Sequence, residues 1–325
     1  MSRILRIGGA CLNQIPMDWD HNLKNIKDVF QEAQKNNIEL LCLPELCITG
    51  YGCEDMFLST WLCETAQAKL IELLPFTSGL TTSLGLPVRF EGEIYNCIAI
   101  IKDKKILGVY AKHNLANDGI HYEKRWFSSW PYHKIETLNI TGQSVQIGAI
   151  SIEIKNIKIG FEICEDAWQE DRPANHLATQ GIELILNPSA SHFAFEKEKY
   201  REQLVVSSSK KFNCTYLYTN LLGNEAGRMI YDGDILIAQN GNLIGHNTRF
   251  SFKPFNILYC EVDFDSQTSS TNIKKDYTGK LEEMSQALPL ALFDYLIKSK
   301  NKGFVLSLSG GADSSTIAIM VRRMV

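Results

Sequence analysis

The 325-residue sequence has no run of about 18 apolar residues, the length that a membrane-spanning helix needs. Its N-terminal segment carries Arg3 and Arg6 but lacks a sustained apolar stretch before a small-residue cleavage site, so it does not resemble a secretory signal. From these two absences we expect a soluble protein with a cytoplasmic location.

An excess of positive charge is also missing. Lys and Arg total 33 against 37 Asp and Glu, which gives a net charge of −4. Nucleic acids and anionic membranes are bound through clustered positive charge, so the sequence favours neither as a partner. Small molecules or other proteins are the expected partners.

Zinc-type cysteine spacing is absent too. The nine cysteines are an odd number, and Cys42, Cys47, Cys53 and Cys63 are separated by four, five and nine residues rather than by two. We interpret most of them as reduced, buried thiols and expect no metal site.

The composition that is present fits a compact globular protein, with 45% hydrophobic and 22% charged residues. At about 150 residues per domain, the length suggests two domains or one large α/β structure with an appendage. No internal repeat or low-complexity segment is present.

Apolar patterns predict interleaved strands and helices. A strand over 3–11 precedes an amphipathic helix that Asp20 opens. Two alternating segments around Lys102-Asp103-Lys104 predict a hairpin. The other predicted strands are 38–43, 81–88, 145–154, 157–163, 182–187, 215–220, 233–238 and 257–262, and the other helices are 58–74, 171–180 and 196–211. Hairpins mixed with helices favour an α/β fold with a mixed sheet.

A domain boundary is predicted near residue 263. The segment 263–280 has few large apolar side chains, and we interpret it as a linker between a domain at 1–262 and a second one at 281–325. About 45 residues cannot bury a core alone. We therefore expect the chain to be a piece of a longer protein whose second α/β domain is incomplete.

Within 281–325 the sequence predicts a helix, a strand and a helix. The first helix runs from Leu288 to Ile297, with Pro289 tolerated in its first turn. A strand over 303–308 and a helix that reaches Val325 follow.

Three predicted strand ends carry reactive side chains, those of Glu45, Lys112 and Cys164. Strand ends at one edge of an open α/β sheet meet in space, so we expect these side chains to cluster. The carboxylate can take the thiol proton, the thiolate can attack an amide carbon, and the ammonium can stabilise the oxyanion. A buried structural cysteine beside two surface charges is the alternative interpretation.

Four segments in chain order carry a more specific signal: PELCITGY, YAKHNLANDGIHYEKRWF, GFEICEDAW and NPSASHF. They resemble the nitrilase superfamily and, more narrowly, the glutamine amidotransferase (glutaminase) domain of the glutamine-dependent NAD synthetase family. The resemblance covers 1–262 and implies an α-β-β-α sandwich. By position it implies that Glu45 is the general base, Lys112 the oxyanion-stabilising lysine and Cys164 the nucleophile. Glu123 matches a second glutamate beside them, and could otherwise be a solvated salt-bridge residue.

The same resemblance implies a glutamine-binding set. Its members are Tyr51, Glu165, Ser191 and Lys197, with Arg201 as a further candidate. Tyr51 and Ser191 could instead be core or turn residues. Many bacterial members have a tyrosine where this chain has Asp118, so that contact is absent, and the surrounding residues are closer to the eukaryotic-like branch.

A second signal is LSLSGGADSS, over 306–315. A glycine turn between a strand and a helix offers backbone N–H groups and hydroxyls to an anion at the positive end of the helix dipole. The GxxxxGK[ST] pattern of a Walker A loop is absent. The SGGxDS string resembles the pyrophosphate loop of the ATP pyrophosphatase family. That resemblance implies that the ATP phosphates are bound by Ser309, Gly310, Gly311, Asp313 and Ser314.

Together the resemblances imply an enzyme of the ligase class. It would hydrolyse glutamine through a cysteine thioester, without a cofactor, and supply ammonia for the ATP- and Mg²⁺-dependent amidation of deamido-NAD to NAD. They also imply a homo-oligomer, commonly an octamer. Only ten residues follow Ser315, so we expect this chain alone to be at most a glutaminase. The alternatives are a stand-alone amidase or N-carbamoyl hydrolase, and a scaffold subunit with an inert triad.

Overall fold

A computed structural model describes residues 3–140, 142–266, 273–275 and 277–324. The helices are α1 (Trp19–Lys35), α2 (Thr60–Leu73), α3 (Glu123–Trp126), α4 (Pro173–Thr179), α5 (Lys197–Lys211), α6 (Lys280–Lys298) and α7 (Ala312–Met324). The strands are β1 (Ile4–Leu12), β2 (Leu40–Cys42), β3 (Thr81–Phe90), β4 (Glu93–Lys102), β5 (Lys105–Ala111), β6 (Ile135–Ile140), β7 (Gln143–Gly148), β8 (Ile152–Ile154), β9 (Ile157–Phe161), β10 (Leu184–Ser189), β11 (Thr215–Asn220), β12 (Leu222–Asn224), β13 (Ile230–Asp232), β14 (Ile235–Gln239), β15 (Asn242–His246) and β16 (Phe255–Asp263).

The strands form two mixed sheets and a two-stranded ribbon of β12 and β13. The larger sheet has the order β16-β1-β2-β3-β4-β5-β7-β6, and the smaller has the order β15-β14-β11-β10-β9-β8. In the larger sheet β1 and β2 are parallel, whereas β3 and β4 form an antiparallel hairpin. The predicted turn at Lys102-Asp103-Lys104 joins β4 to β5. The predicted mixed α/β architecture is confirmed.

The elements stack in four layers. Helices α1 and α2 cover the outer face of the larger sheet, and α4 and α5 cover the outer face of the smaller one. Strand β4 shows how side chains that alternate between the two faces of a sheet build this arrangement. Its Cys97, Ala99 and Ile101 pack in the core beneath α1 and α2. Its Ile98 and Ile100 pack between the two sheets. This is the α-β-β-α sandwich that the sequence led us to expect.

Helix α6 begins earlier than predicted. Because it starts at Lys280, Pro289 lies in its interior rather than in its first turn. Proline has no N–H to donate, and the carbonyl of Ser285, one turn earlier, instead accepts a hydrogen bond from Arg323 Nη1 of α7 at 3.3 Å. The contact with α7 compensates for the missing helical hydrogen bond.

The strand predicted over 303–308 does not form. These residues have no regular structure, and Val305 and Leu308 are exposed. A strand is stabilised by ladder hydrogen bonds to a neighbour, and no described strand lies beside this segment. The predicted strand at 145–154 is also wrong in extent, because β7 and β8 are separate elements.

Four short or edge strands were not predicted, namely β6, β12, β13 and β15. Strands β12 and β13 have three residues each, too few to show an alternating pattern, and β6 and β15 are edge strands of the two sheets. Over the described ranges, no helix combines the length and the apolar character that crossing a bilayer requires.

Candidate active site

Cys164 lies just beyond the end of β9, at the start of a short 3₁₀ turn over Cys164–Trp168. Its φ is +45°, a left-handed conformation that is uncommon for a residue with a side chain. Asp166 holds the turn, since its carboxylate accepts from the backbone N–H groups of Ile163 at 2.9 Å and Asn114 at 2.7 Å. The residue is 7% exposed. The strand therefore ends in a strained turn that fixes the cysteine at the cavity wall described below.

Glu45 and Lys112 form a fully buried ion pair. Lys112 Nζ donates to Glu45 Oε1 at 2.6 Å, and the Asn96 side-chain amide donates to the same oxygen at 2.6 Å. The other oxygen, Oε2, accepts from the backbone N–H of Ala190 at 2.8 Å. The carboxylate is thus held by both sheets, since Asn96 belongs to β4 and Ala190 follows β10.

The cluster differs in one respect from the arrangement at a single sheet edge that the sequence predicted. Glu45 and Lys112 follow β2 and β5 of the larger sheet, but Cys164 follows β9 of the smaller one. Electrostatic interactions link Cys164 to both of the other groups. Two sheets packed face to face bring these strand ends together, so the site lies between the sheets.

Glu123 completes the buried polar cluster. Its side chain accepts from Lys112 Nζ at 2.8 Å, from the Tyr51 hydroxyl at 2.8 Å and from the backbone N–H of Ala116 at 2.9 Å. It is fully buried, which excludes the solvated salt-bridge alternative. One lysine therefore lies between two glutamates beside the thiol.

Burial dominates the protonation behaviour of the site. It raises the pKa of Glu45 to about 7, although Lys112 opposes the shift. Burial also raises the pKa of the Cys164 thiol, and the charge of Glu45 adds to this effect. For Lys112, burial acts to lower the pKa, but Glu123 and Glu45 outweigh it and keep the ammonium protonated. At neutral pH the site therefore holds a thiol, a carboxyl group near its midpoint and a fixed cation.

We expect amide hydrolysis to increase with pH through an inflection near 7, because Glu45 can accept the thiol proton only in its ionised form. The pH dependence of kcat/KM between pH 5.5 and 8.5 measures this. Burial raises the pKa of Asp166 to about 7 as well, so Asp166→Asn is the control. An inflection that vanishes in that variant, or a flat profile, would contradict the assignment to Glu45.

Gly85 of β3 leaves the space that the Glu45 turn occupies. A Cβ at this position would lie 2.2 Å from the backbone nitrogen of Leu46 and 2.8 Å from the carbonyl carbon of Glu45. We expect Gly85→Ala to push the turn away and lower kcat by about 100-fold, since misplacement by about 1 Å has that order of effect. Gly245→Ala is the matched control, because its nearest contacts begin at 3.4 Å. Equal activity in the two variants, measured by ammonia release, would contradict this expectation.

A cavity of about 270 Å³ opens at Cys164. Three of the four predicted glutamine-binding residues line it, namely Glu165, Ser191 and Lys197. Burial lowers the pKa of Lys197. Tyr51 does not line this cavity; it lines a second cavity that shares His121 with the first, and its hydroxyl contacts Glu123.

Arg201 lies outside the cavity lining. It is fully buried, and its Nη1 donates to Asp232 at 2.8 Å and to Asp234 at 2.9 Å. These two ion pairs give it a structural role.

Sequence reasoning missed several residues of the site. The cavity is also lined by Ala116, Asp118, His121, Trp168, His192 and Tyr200. His121 and His192 stand inside two of the segments that carry the family resemblance, so their position in those segments was the available signal. Asn96 and the Ala190 amide carry no such signal, because their role depends on how the two sheets pack.

The SGGADSS loop lies apart from this cavity. Ser309, Gly310 and Asp313 are exposed. Gly310 has φ +84°. The hydroxyls of Ser309 and Ser314 lie 3.1 Å apart, and α7 begins directly after the glycines.

A family model described as carbon-nitrogen hydrolase matches residues 7–270. The chain belongs to the carbon-nitrogen hydrolase family. This carbon-nitrogen hydrolase is 32% identical to the glutamine-dependent NAD(+) synthetase of Oryza sativa subsp. indica, over 98% of this chain and 50% of that protein. It spans about half the length of the curated relatives it matches.

Two solved structures resemble this carbon-nitrogen hydrolase over 99% of its length. One is a glutamine-dependent NAD(+) synthetase from Cytophaga hutchinsonii, with 49% identity, a TM-score of 0.89 and 51% of that chain covered. The other is glutamine-dependent NAD+ synthetase from Acinetobacter baumannii in complex with adenosine diphosphate, with 25% identity, a TM-score of 0.86 and 58% of that chain covered. These similarities extend through α6 and α7.

Proposed function

We propose that this chain is the glutaminase part of a glutamine-dependent NAD synthetase. The observation that carries the proposal is the buried Glu45–Lys112–Glu123 cluster beside Cys164, at the wall of a cavity lined by Glu165, Ser191 and Lys197. Relatives named for this activity support the choice of glutamine over other amides. The domain division 1–262, 263–280 and 281–325 is part of the proposal.

The chemistry follows from the positions of the side chains. Glu45 takes the proton of the Cys164 thiol while sulfur attacks the side-chain amide carbon of glutamine, and Lys112 stabilises the resulting oxyanion. The C–N bond then breaks, and nitrogen leaves as ammonia with the proton that Glu45 returns. Water, deprotonated by Glu45, attacks the thioester and releases glutamate and the free thiol. No cofactor is required for these steps.

In the whole synthetase, ATP would bind at the loop before α7. The loop suits a phosphate group, because no atom lies within 4 Å of the Cβ position of Gly310 and two serine hydroxyls flank the helix start. Ser309, Gly310, Gly311, Asp313 and Ser314 would hold the phosphates. ATP would activate the deamido-NAD carboxylate by adenylating it with release of pyrophosphate, and ammonia would then attack the carboxyl carbon and displace AMP. The Mg²⁺ ion, the homo-oligomer and the cytoplasmic location stay predictions.

Ammonia release from glutamine, asparagine and simple aliphatic amides tests the glutaminase assignment. We expect glutamine to give the highest kcat/KM, in this chain and in the full-length protein supplied with ATP and deamido-NAD. Cys164→Ala gives the background rate for each amide. Preference for another amide would favour a stand-alone amidase and contradict the proposal.

A further inference from the structure

Two histidines extend the hydrogen-bond network of the triad to the cavity wall. The Tyr51 hydroxyl has one proton, and burial raises its pKa, so the group stays protonated. That proton is donated to Glu123 Oε1 at 2.8 Å. His121 Nδ1 lies 3.1 Å from the same hydroxyl oxygen. Because the hydroxyl proton is already used, His121 must donate from Nδ1.

The direction of this bond fixes the next one. Burial lowers the pKa of His121, so its ring is neutral and carries a single proton, on Nδ1. Its Nε2 is then an acceptor, and Nδ1 of His192 donates to it at 2.8 Å. Burial also lowers the pKa of His192, to about 4, with the charge of Lys197 adding to the effect. His192 is therefore neutral, and its Nε2 can only accept a hydrogen bond.

His192 is held in place at the cavity. It forms an antiparallel bridge with Tyr231, and the backbone N–H of Phe193 donates to the Ile230 carbonyl at 2.6 Å. The ring lines the same cavity as Cys164. Within the part of the chain that the structure describes, its Nε2 has no hydrogen-bond partner. A fixed acceptor thus faces the space that a ligand would occupy.

The charges around this acceptor select what it can bind. Asp118, Glu165 and Lys197 line the cavity with it. A ligand carboxylate would be repelled by the two acids and attracted to Lys197, and a neutral acceptor cannot bind a carboxylate. A ligand ammonium fits the two acids and the free acceptor. The lining therefore suits a zwitterionic ligand, with its ammonium group at the two acids and His192 and its carboxylate at Lys197.

We infer that Nε2 of His192 accepts a hydrogen bond from the α-ammonium group of the amino-acid amide bound at Cys164. The inference rests on the proposed function and extends it. His192 becomes a specificity-determining residue that distinguishes α-amino acids from amides without the ammonium. Glu123 sets the polarity of this acceptor through Tyr51 and His121, so one carboxylate serves both the triad and substrate selection.

Two substitutions separate the acceptor from the chain of hydrogen bonds. His192→Asn keeps an amide near the position of Nδ1, which can still donate to His121, and it deletes the acceptor at Nε2. His192→Gln places its amide near the position of Nε2 and loses the donor to His121. The ligands are glutamine and 4-carbamoylbutanoate, which is glutamine without its α-ammonium. Titration calorimetry in the Cys164→Ala background measures binding, and ammonia release measures turnover.

We expect His192→Asn to weaken glutamine binding by about 10- to 100-fold, the range for a hydrogen bond to a charged group, and to leave 4-carbamoylbutanoate within about 2-fold. We expect His192→Gln to retain most of the glutamine affinity. Equal losses for both ligands, or a loss only in His192→Gln, would overturn the inference. If ammonia is not released from glutamine but its binding still depends on His192, the proposed function fails and the inference stands.

Discussion

Cys164→Ala is expected to abolish ammonia release from glutamine, with a fall in kcat of at least about 10⁴-fold. Among the residues that the structure describes, Cys164 presents the only sulfur atom that lines the cavity. Burial raises the pKa of this thiol, so it reacts only when Glu45, itself near its midpoint at neutral pH, removes the proton. Without the sulfur no thioester forms. The groups that remain, Glu45 and Lys112, can only polarise the amide carbonyl for direct attack by water.

Cys11→Ala is the matched control for this loss. Cys11 and Cys164 are both buried in the core between the sheets, so the two substitutions remove the same atom from similar surroundings. Alanine at position 164 keeps a side-chain Cβ in the same left-handed conformation, so its backbone strain is unchanged. We expect both variants to unfold at similar temperatures and only one to be inactive. Residual activity above about 1% in Cys164→Ala would assign the nucleophile elsewhere.

Covalent labelling gives a second readout of the same cysteine. A glutamine-mimicking electrophile should modify Cys164, as peptide mass spectrometry would report, and spare the other eight cysteines, which do not line its cavity. An inert triad, which is the scaffold alternative, would leave Cys164 unlabelled.

The sequence predicted the reactive residues because each stands at the end of an apolar run. Strand periodicity places Glu45, Lys112 and Cys164 beyond β2, β5 and β9, and the structure brings them together. The sequence could not show that two sheets meet at these residues. Which sheet a strand joins depends on long-range pairing, and local alternation does not encode that pairing. The Ala190 amide that binds Glu45 comes from such a pairing.

Other differences have the same origin. The segment at 303–308 has strand composition, but strand formation needs a neighbouring strand as well. Pro289 would normally limit a helix, yet α6 continues through it because α7 supplies a donor to the freed carbonyl. His121 and His192 offered only their presence in the family-like segments, since the direction of their hydrogen bonds follows from Tyr51 and Glu123.

Lys112→Met is the second substitution with a large expected effect, and it should act on both activity and stability. Methionine fills a similar volume but leaves Glu45 and Glu123 facing each other, fully buried, without the cation between them. Removing one partner of a buried ion pair costs about 3–5 kcal/mol. Loss of the oxyanion-stabilising charge should also lower kcat by about 10³-fold.

The pH dependence of unfolding separates this effect from simple repacking. The pKa of Glu45 is already raised above its usual value by burial, and losing Lys112 raises it further. The destabilisation is therefore complete above that raised pKa and becomes smaller as the pH falls and the carboxyl group takes up a proton. We expect the stability of Lys112→Met to approach that of the wild type near pH 5. A deficit that does not change with pH would indicate a packing defect.

Lys275→Met distinguishes a catalytic cation from a structural one. Lys275 also lies between two carboxylates, those of Glu198 at 2.8 Å and Asp234 at 3.4 Å, whereas Lys112 contacts Glu45, the group that faces the Cys164 thiol electrostatically. Both variants should lower the free energy of unfolding, measured in urea, whereas only Lys112→Met should lower kcat. If the two variants lose activity equally at a temperature where both are folded, the oxyanion-stabilising role of Lys112 is contradicted. If they do not, its position beside the attacked carbonyl is what the reaction requires.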